Sequence, residues 1–114
     1  MDAKRFAFVS DAAEREYKKL PEEVQDDFGK DLRRIQFGQD PVLAIKHLNG
    51  IGAGVTELII NGSPAFRCVY VTKYMDTVIV LHSFEKSAQG RDKQGMQVAE
   101  QRLKELLEQV RNSK

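Results

Sequence analysis

The sequence predicts an α+β domain in the order β-α-α-β-β-β-α, with a small antiparallel sheet packed by a helical hairpin and a C-terminal helix. Three observations carry this. Apolar residues recur at helical spacing over residues 11–37, alternate with period two from Val55 to Phe84, and return to helical spacing from Met96 onward.

The elements follow in order. Phe6, Ala7, Phe8 and Val9 form a short apolar strand. Asp11, with Glu14 three residues later, has the spacing of a capping box. Ala13, Tyr17, Leu20 and Val24 then lie on one helical face. Pro21 ends that helix and opens the next, where Glu22 and Glu23 suit the positive end of the helix dipole. The second stripe is Val24, Phe28, Leu32 and Ile35, and Gly38 is the stop. Residues 38–54 read as a connecting segment ending in Gly50-Ile51-Gly52-Ala53-Gly54. A phosphate-cradling glycine loop follows a strand and opens a helix; this one precedes a strand, which argues against nucleotide binding.

Three strands come next: Val55–Ile60, Ala65–Lys73 and Thr77–Phe84. They are joined by Asn61-Gly62-Ser63-Pro64 and by a tight connection at Tyr74-Met75-Asp76. Such short connections imply an antiparallel meander. By period two, His82 is expected on one face with Val78, Val80, Phe84 and Lys86. A polar segment, 85–95, leads to a helix from about Asp92 to Arg111, with Met96, Ala99, Leu103, Leu106 and Val110 in a narrow stripe.

Composition bounds the function. The 114 residues suit a single domain spanning 1–114, large enough to bury a core without disulfides. No apolar run approaches a membrane span, and no apolar leader follows Met1–Arg5, so a cytoplasmic protein is expected. One cysteine, Cys68, excludes an internal disulfide and a multi-cysteine zinc site, and reads as a buried, inert thiol. His47 and His82 are too isolated to argue for a metal, and no cofactor is expected. Net charge is +1, but residues 1–60 carry 9 Lys+Arg against 11 Asp+Glu, and residues 61–114 carry 9 against 6. A basic back half is compatible with phosphate contacts on one surface.

Several strings share a family pattern. Leu81-His82-Ser83-Phe84-Glu85-Lys86 ends a strand as L-H-x-F-x-K and is followed by a helix containing Ala99-x-x-Arg102. Upstream lie Leu48-Asn49-Gly50, Val55-Thr56-Glu57-Leu58 and Phe66-Arg67-Cys68-Val69-Tyr70. In this order the motifs resemble the HigB-like, phage-associated branch of the RelE/ParE toxin superfamily, over residues 5–107. The resemblance implies a RelE-like fold and the toxin of a type II toxin–antitoxin system, a ribosome-dependent mRNA endoribonuclease that inhibits translation. It implies as partners a HigA-like helix-turn-helix antitoxin, the ribosome and its mRNA, with operator DNA reached only through the antitoxin.

Such cleavage requires the 2′-OH deprotonated, the phosphate in line, its charge neutralised and the leaving 5′-oxygen protonated. Arg67 is the leading candidate, because a guanidinium forks onto two phosphate oxygens; the alternatives are an exposed strand charge or a partner for Glu57. Lys86 at a strand end suits a phosphate contact, or is a solvated lysine. His82 suits acid–base work, or is a satisfied histidine beside the core. Glu57 is either a base for the 2′-OH or a structural partner of Arg67 or Arg102. Lys46, His47, Arg91 and Lys93 are candidate RNA-backbone contacts, each with a solvated charge as the alternative. Ile59 and Ser87 stand where that branch carries basic residues. This gives weight to two other readings: a ParE-like, non-enzymatic gyrase inhibitor, and a degenerate toxin acting as an operon co-repressor.

Overall fold

A computed structural model describes residues 3–86 and 93–112. The chain runs β1 (Arg5–Phe8), α1 (Asp11–Lys18), α2 (Glu22–Gln36), β2 (Ala44–His47), β3 (Thr56–Ile60), β4 (Ala65–Val71), β5 (Thr77–Lys86) and α3 (Lys93–Asn112). The α+β class and the helical hairpin, meander and final helix are as expected. The segment 38–54 contains one strand more than the sequence predicted.

The strands form one sheet in the order β1-β5-β4-β3-β2. β1 lies parallel to β5, whereas the other neighbours are antiparallel, so the sheet is mixed rather than purely antiparallel. The central strand β4 is buried along its whole length. Its Phe66, Cys68 and Tyr70 pack with Phe28 and Leu32 of α2. Its Val69 and Val71 pack with Ala99, Leu103 and Leu106 of α3. Burial pushes the Cys68 thiol up to about 12, in keeping with an inert core residue.

Helix ends follow local chemistry. Ser10, not Asp11, caps α1, its hydroxyl accepting from the Ala13 N–H at 3.2 Å. Asp11 is instead the first helical residue. Gly38 (φ +74°) ends α2 as a Schellman turn, with its N–H on the Ile35 carbonyl and the Gln39 N–H on the Arg34 carbonyl. The glycine string has a packing role. A Cβ at Gly52 would lie 2.5 Å from Leu103 Cδ2, so a larger residue there would require the Leu103 side chain to shift.

β2 is held by Asp31, which is almost fully buried in α2. Its carboxylate accepts from the N–H groups of Val42 (3.0 Å) and Leu43 (2.8 Å) and from Arg34 (3.0 Å). One acidic side chain thus satisfies the backbone that turns into β2.

A bulge breaks the expected parity of β5. Val69 faces His82 but Tyr70 faces Val80, leaving Leu81 as the extra residue. Val78 and Val80 therefore pack toward the helical hairpin, while Phe84 packs on the α3 side. The expectation that His82, Val78, Val80, Phe84 and Lys86 share one face fails for that reason.

Candidate functional site

The α3 side of the sheet opens beside β2 into a cleft of about 530 Å³. Lys46 (β2), Glu57 (β3), Arg67 (β4), Phe84 and Lys86 (β5), and Lys93 (α3) line it, with Leu48, Met96 and Gln97. Five residues singled out from the sequence thus converge from five different elements. Among the lining residues, four cations surround one carboxylate.

Register explains the convergence. Lys46 pairs with Glu57, and Arg67 pairs with both Ile59 and Phe84. Glu57 and Arg67 are therefore diagonal neighbours on one face. Arg67 is not the exposed strand charge considered above: its side chain is only 10% exposed, with Nε 3.7 Å from Glu57 Oε1. Its Nη1 donates to the carbonyls of Phe66 (3.0 Å) and Ile60 (3.4 Å). The guanidinium is thereby oriented by strand backbone. Lys86 is half-buried at the end of β5, whereas Lys46 and Lys93 are exposed at the rim.

His82 lies elsewhere. At the bulge its Nδ1 is 2.8 Å from Glu16 Oε1 of α1, and its ring stacks on Phe84 with centroids 4.8 Å apart. Arg102 of α3 grips the same Glu16 with both terminal nitrogens, at 2.7 and 2.8 Å, and donates to the Leu81 carbonyl at 2.9 Å. Arg102 thus pairs with Glu16, not with Glu57. Burial raises the Glu16 pKa, but the hydrogen bonds from Arg102 and His82 outweigh it and hold the carboxyl below its ordinary value. The pairing with Glu16 correspondingly raises Arg102. The histidine and arginine motifs meet here, tying α1 and α3 to the strand that carries Phe84 and Lys86.

His47 points away from the cleft, with Nδ1 3.5 Å from Thr56 Oγ1. Arg91 lies outside the described residues. Among the described residues no group of acidic, histidine and cysteine side chains is arranged to hold a metal, and no helix is long and apolar enough to cross a membrane. Sequence reasoning missed Phe84 as a lining residue and Asp31 as the anchor of β2. Asp31 carried a signal: it sits on the buried stripe of α2, three residues after Phe28.

A family model described as phage derived protein Gp49-like (DUF891) matches residues 15–104. Among solved structures, a chain of the toxin–antitoxin complex RelBE2 from Mycobacterium tuberculosis is similar at 21% identity and a TM-score of 0.48. That match covers 76% of this chain and 95% of that one. Comparison with curated proteins finds no match.

Proposed function

We propose that this chain, which belongs to the phage-derived Gp49-like family, is the toxin of a type II toxin–antitoxin pair and cuts mRNA on the ribosome. The observation that carries the reading is the gathering of Arg67, Lys46, Lys86 and Lys93 around Glu57 in one open cleft. A phosphodiester backbone needs such a surface, because its charge must be neutralised and its phosphate fixed in line.

In this reading Arg67 grips the scissile phosphate. Its buried, backbone-bonded guanidinium is preorganised, so little rearrangement is needed as charge develops. Lys46 and Lys93 at the rim hold flanking phosphates. Glu57 takes the 2′-OH proton, and the Lys86 ammonium neutralises the phosphate and returns a proton to the leaving 5′-oxygen. His82 acts on Phe84 and the strand end as a positioning residue, while His47 serves the edge of the sheet.

The modest net charge of +1 favours substrate delivery by the ribosome over capture of free RNA. Partners on this reading are a helix-turn-helix antitoxin and the translating ribosome, in the cytoplasm. Induction of the chain alone is expected to arrest bacterial growth, and co-expression of its antitoxin to restore it. Normal growth at verified soluble expression would overturn the toxin reading.

A further inference from the structure

The bulge in β5 decides which charged residue the cleft receives. Ile79 and Leu81 pack with α3, so strict alternation would put Ser83 and Glu85 on that side as well. The structure puts Phe84 and Lys86 there instead, because the register steps by one residue between Val69 and Tyr70. Ser83 and Glu85 lie opposite Cys68 and Phe66, on the side of the helical hairpin. One extra residue thus exchanges a carboxylate for an ammonium on the face that carries Arg67. With the bulge closed, the four cations and one carboxylate lining the cleft would become three and two.

Little in β5 itself holds the bulge. The extra residue of a bulge drops out of the ladder. Beyond it, Phe84 and Lys86 are half-buried and Glu85 is exposed, so burial fixes their register weakly. The neighbouring strand does not help, because β1 pairs with β5 only as far as Val80, one residue before the bulge.

The hold comes from the helices. Arg102 Nη1 of α3 donates to the Leu81 carbonyl at 2.9 Å. Glu16 of α1 grips that guanidinium through both terminal nitrogens, at 2.7 and 2.8 Å, and lies 2.8 Å from Nδ1 of His82, the residue after the bulge. Neither Arg102 nor Glu16 lines the cleft.

We propose that Arg102 is a positioning residue for the cleft: by holding the Leu81 carbonyl it keeps the bulge, and with it Lys86 rather than Glu85, on the phosphate-binding side. The effect on cleavage rests on the nuclease reading, whereas the effect on strand register does not.

The variant is Arg102→Gln, and cross-strand nuclear Overhauser contacts read its register. The Arg67–Phe84 and Ala65–Lys86 contacts are expected to fall at least about twofold and an Ala65–Glu85 contact to appear, while Val71–Ile79, before the bulge, persists. A 2′-O-methyl RNA hexamer at low salt reads the charge of the cleft, and Arg102→Gln should bind it about tenfold more weakly than wild type. Adding Glu85→Lys should restore most of that loss, yet in the wild-type background it should change binding by less than about threefold. A merely destabilised fold would not be mended by a charge change at Glu85. Should Arg102→Gln fail to fold, Glu16→Gln carries the test, because it loosens the grip on Arg102 and should weaken the same two contacts in preference to Val71–Ile79. Should wild type not hold the hexamer, the register contacts decide alone. Unchanged Arg67–Phe84 and Ala65–Lys86 contacts, uniform weakening along β4 and β5, or an equal effect of Glu85→Lys in both backgrounds would overturn the proposal. None of these readouts needs ribosomes or cleavage, so an inactive nuclease and a bulge that stands without Arg102 give different results.

Discussion

Arg67 and Glu57 lie on neighbouring strands in diagonal register, Nε 3.7 Å from Oε1, with side chains only 10% and 6% exposed. Removing one partner leaves the other charge buried beside the cleft. Arg67→Ala is therefore expected to cost about 3–5 kcal/mol of stability. The double variant Glu57→Gln/Arg67→Gln should lose about 1–3 kcal/mol less than the two single changes together. Urea unfolding of Arg67→Ala, and of wild type, Glu57→Gln, Arg67→Gln and the double variant as a cycle, checks this, and additive losses would contradict the coupling.

Glu16 ties α1 to α3 through Arg102 and meets His82 at the bulge. Its folded pKa lies below the ordinary 4.5, so its contribution is complete above that value and is lost as pH falls through the folded one. Glu16→Gln should melt below wild type at pH 7, and the gap should close as the pH is taken down through the acid range. A gap constant across that range would refute the assignment.

Asp31 satisfies two backbone amides with one carboxylate. Asp31→Ala leaves the N–H groups of Val42 and Leu43 without that acceptor, at an expected cost of about 2–4 kcal/mol. Because these amides lead into β2, exchange at Ala44–His47 should rise more than exchange in β4. Uniform loosening of the whole sheet would argue against a local anchor.

Met75 and Asp76 both adopt positive φ (55° and 49°), and the Thr77 N–H closes the turn on the Tyr74 carbonyl at 3.1 Å. That is the geometry of a two-residue hairpin turn that favours Asn-Gly. Met75→Asn is expected to stabilise by about 0.5–1 kcal/mol, since asparagine adopts the left-handed region at lower cost than methionine. Chemical denaturation provides the check, and a loss of stability would show that Met75 makes a compensating contact.

The helices and the meander were legible because their burial is periodic in the sequence. β2 was not, because an exposed four-residue edge strand has no buried face to impose a pattern; its pairing comes from β3 and its anchor from Asp31. The parallel placement of β1 is equally non-local. At the candidate site, Lys46, Glu57, Arg67, Lys86 and Lys93 stand out in the sequence by residue type and motif, and the fold brings them into one cleft. The face of His82 is not legible from period two, because strict alternation does not encode the bulge at Leu81. That bulge leaves the Leu81 carbonyl to Arg102, a contact only the folded chain reveals.

The central claim is that Arg67 clamps a phosphate during mRNA cleavage, and single-turnover cleavage on programmed ribosomes tests it most directly. Arg67→Lys is the variant to use, because it keeps the charge facing Glu57 while removing the planar fork. Wild type is expected to cut ribosome-bound mRNA and to leave the same RNA largely intact when naked. Arg67→Lys should retain the fold by thermal melting yet cut about a hundredfold more slowly or worse. Wild-type protein that never cuts, or Arg67→Lys that cuts at the wild-type rate, would contradict the account.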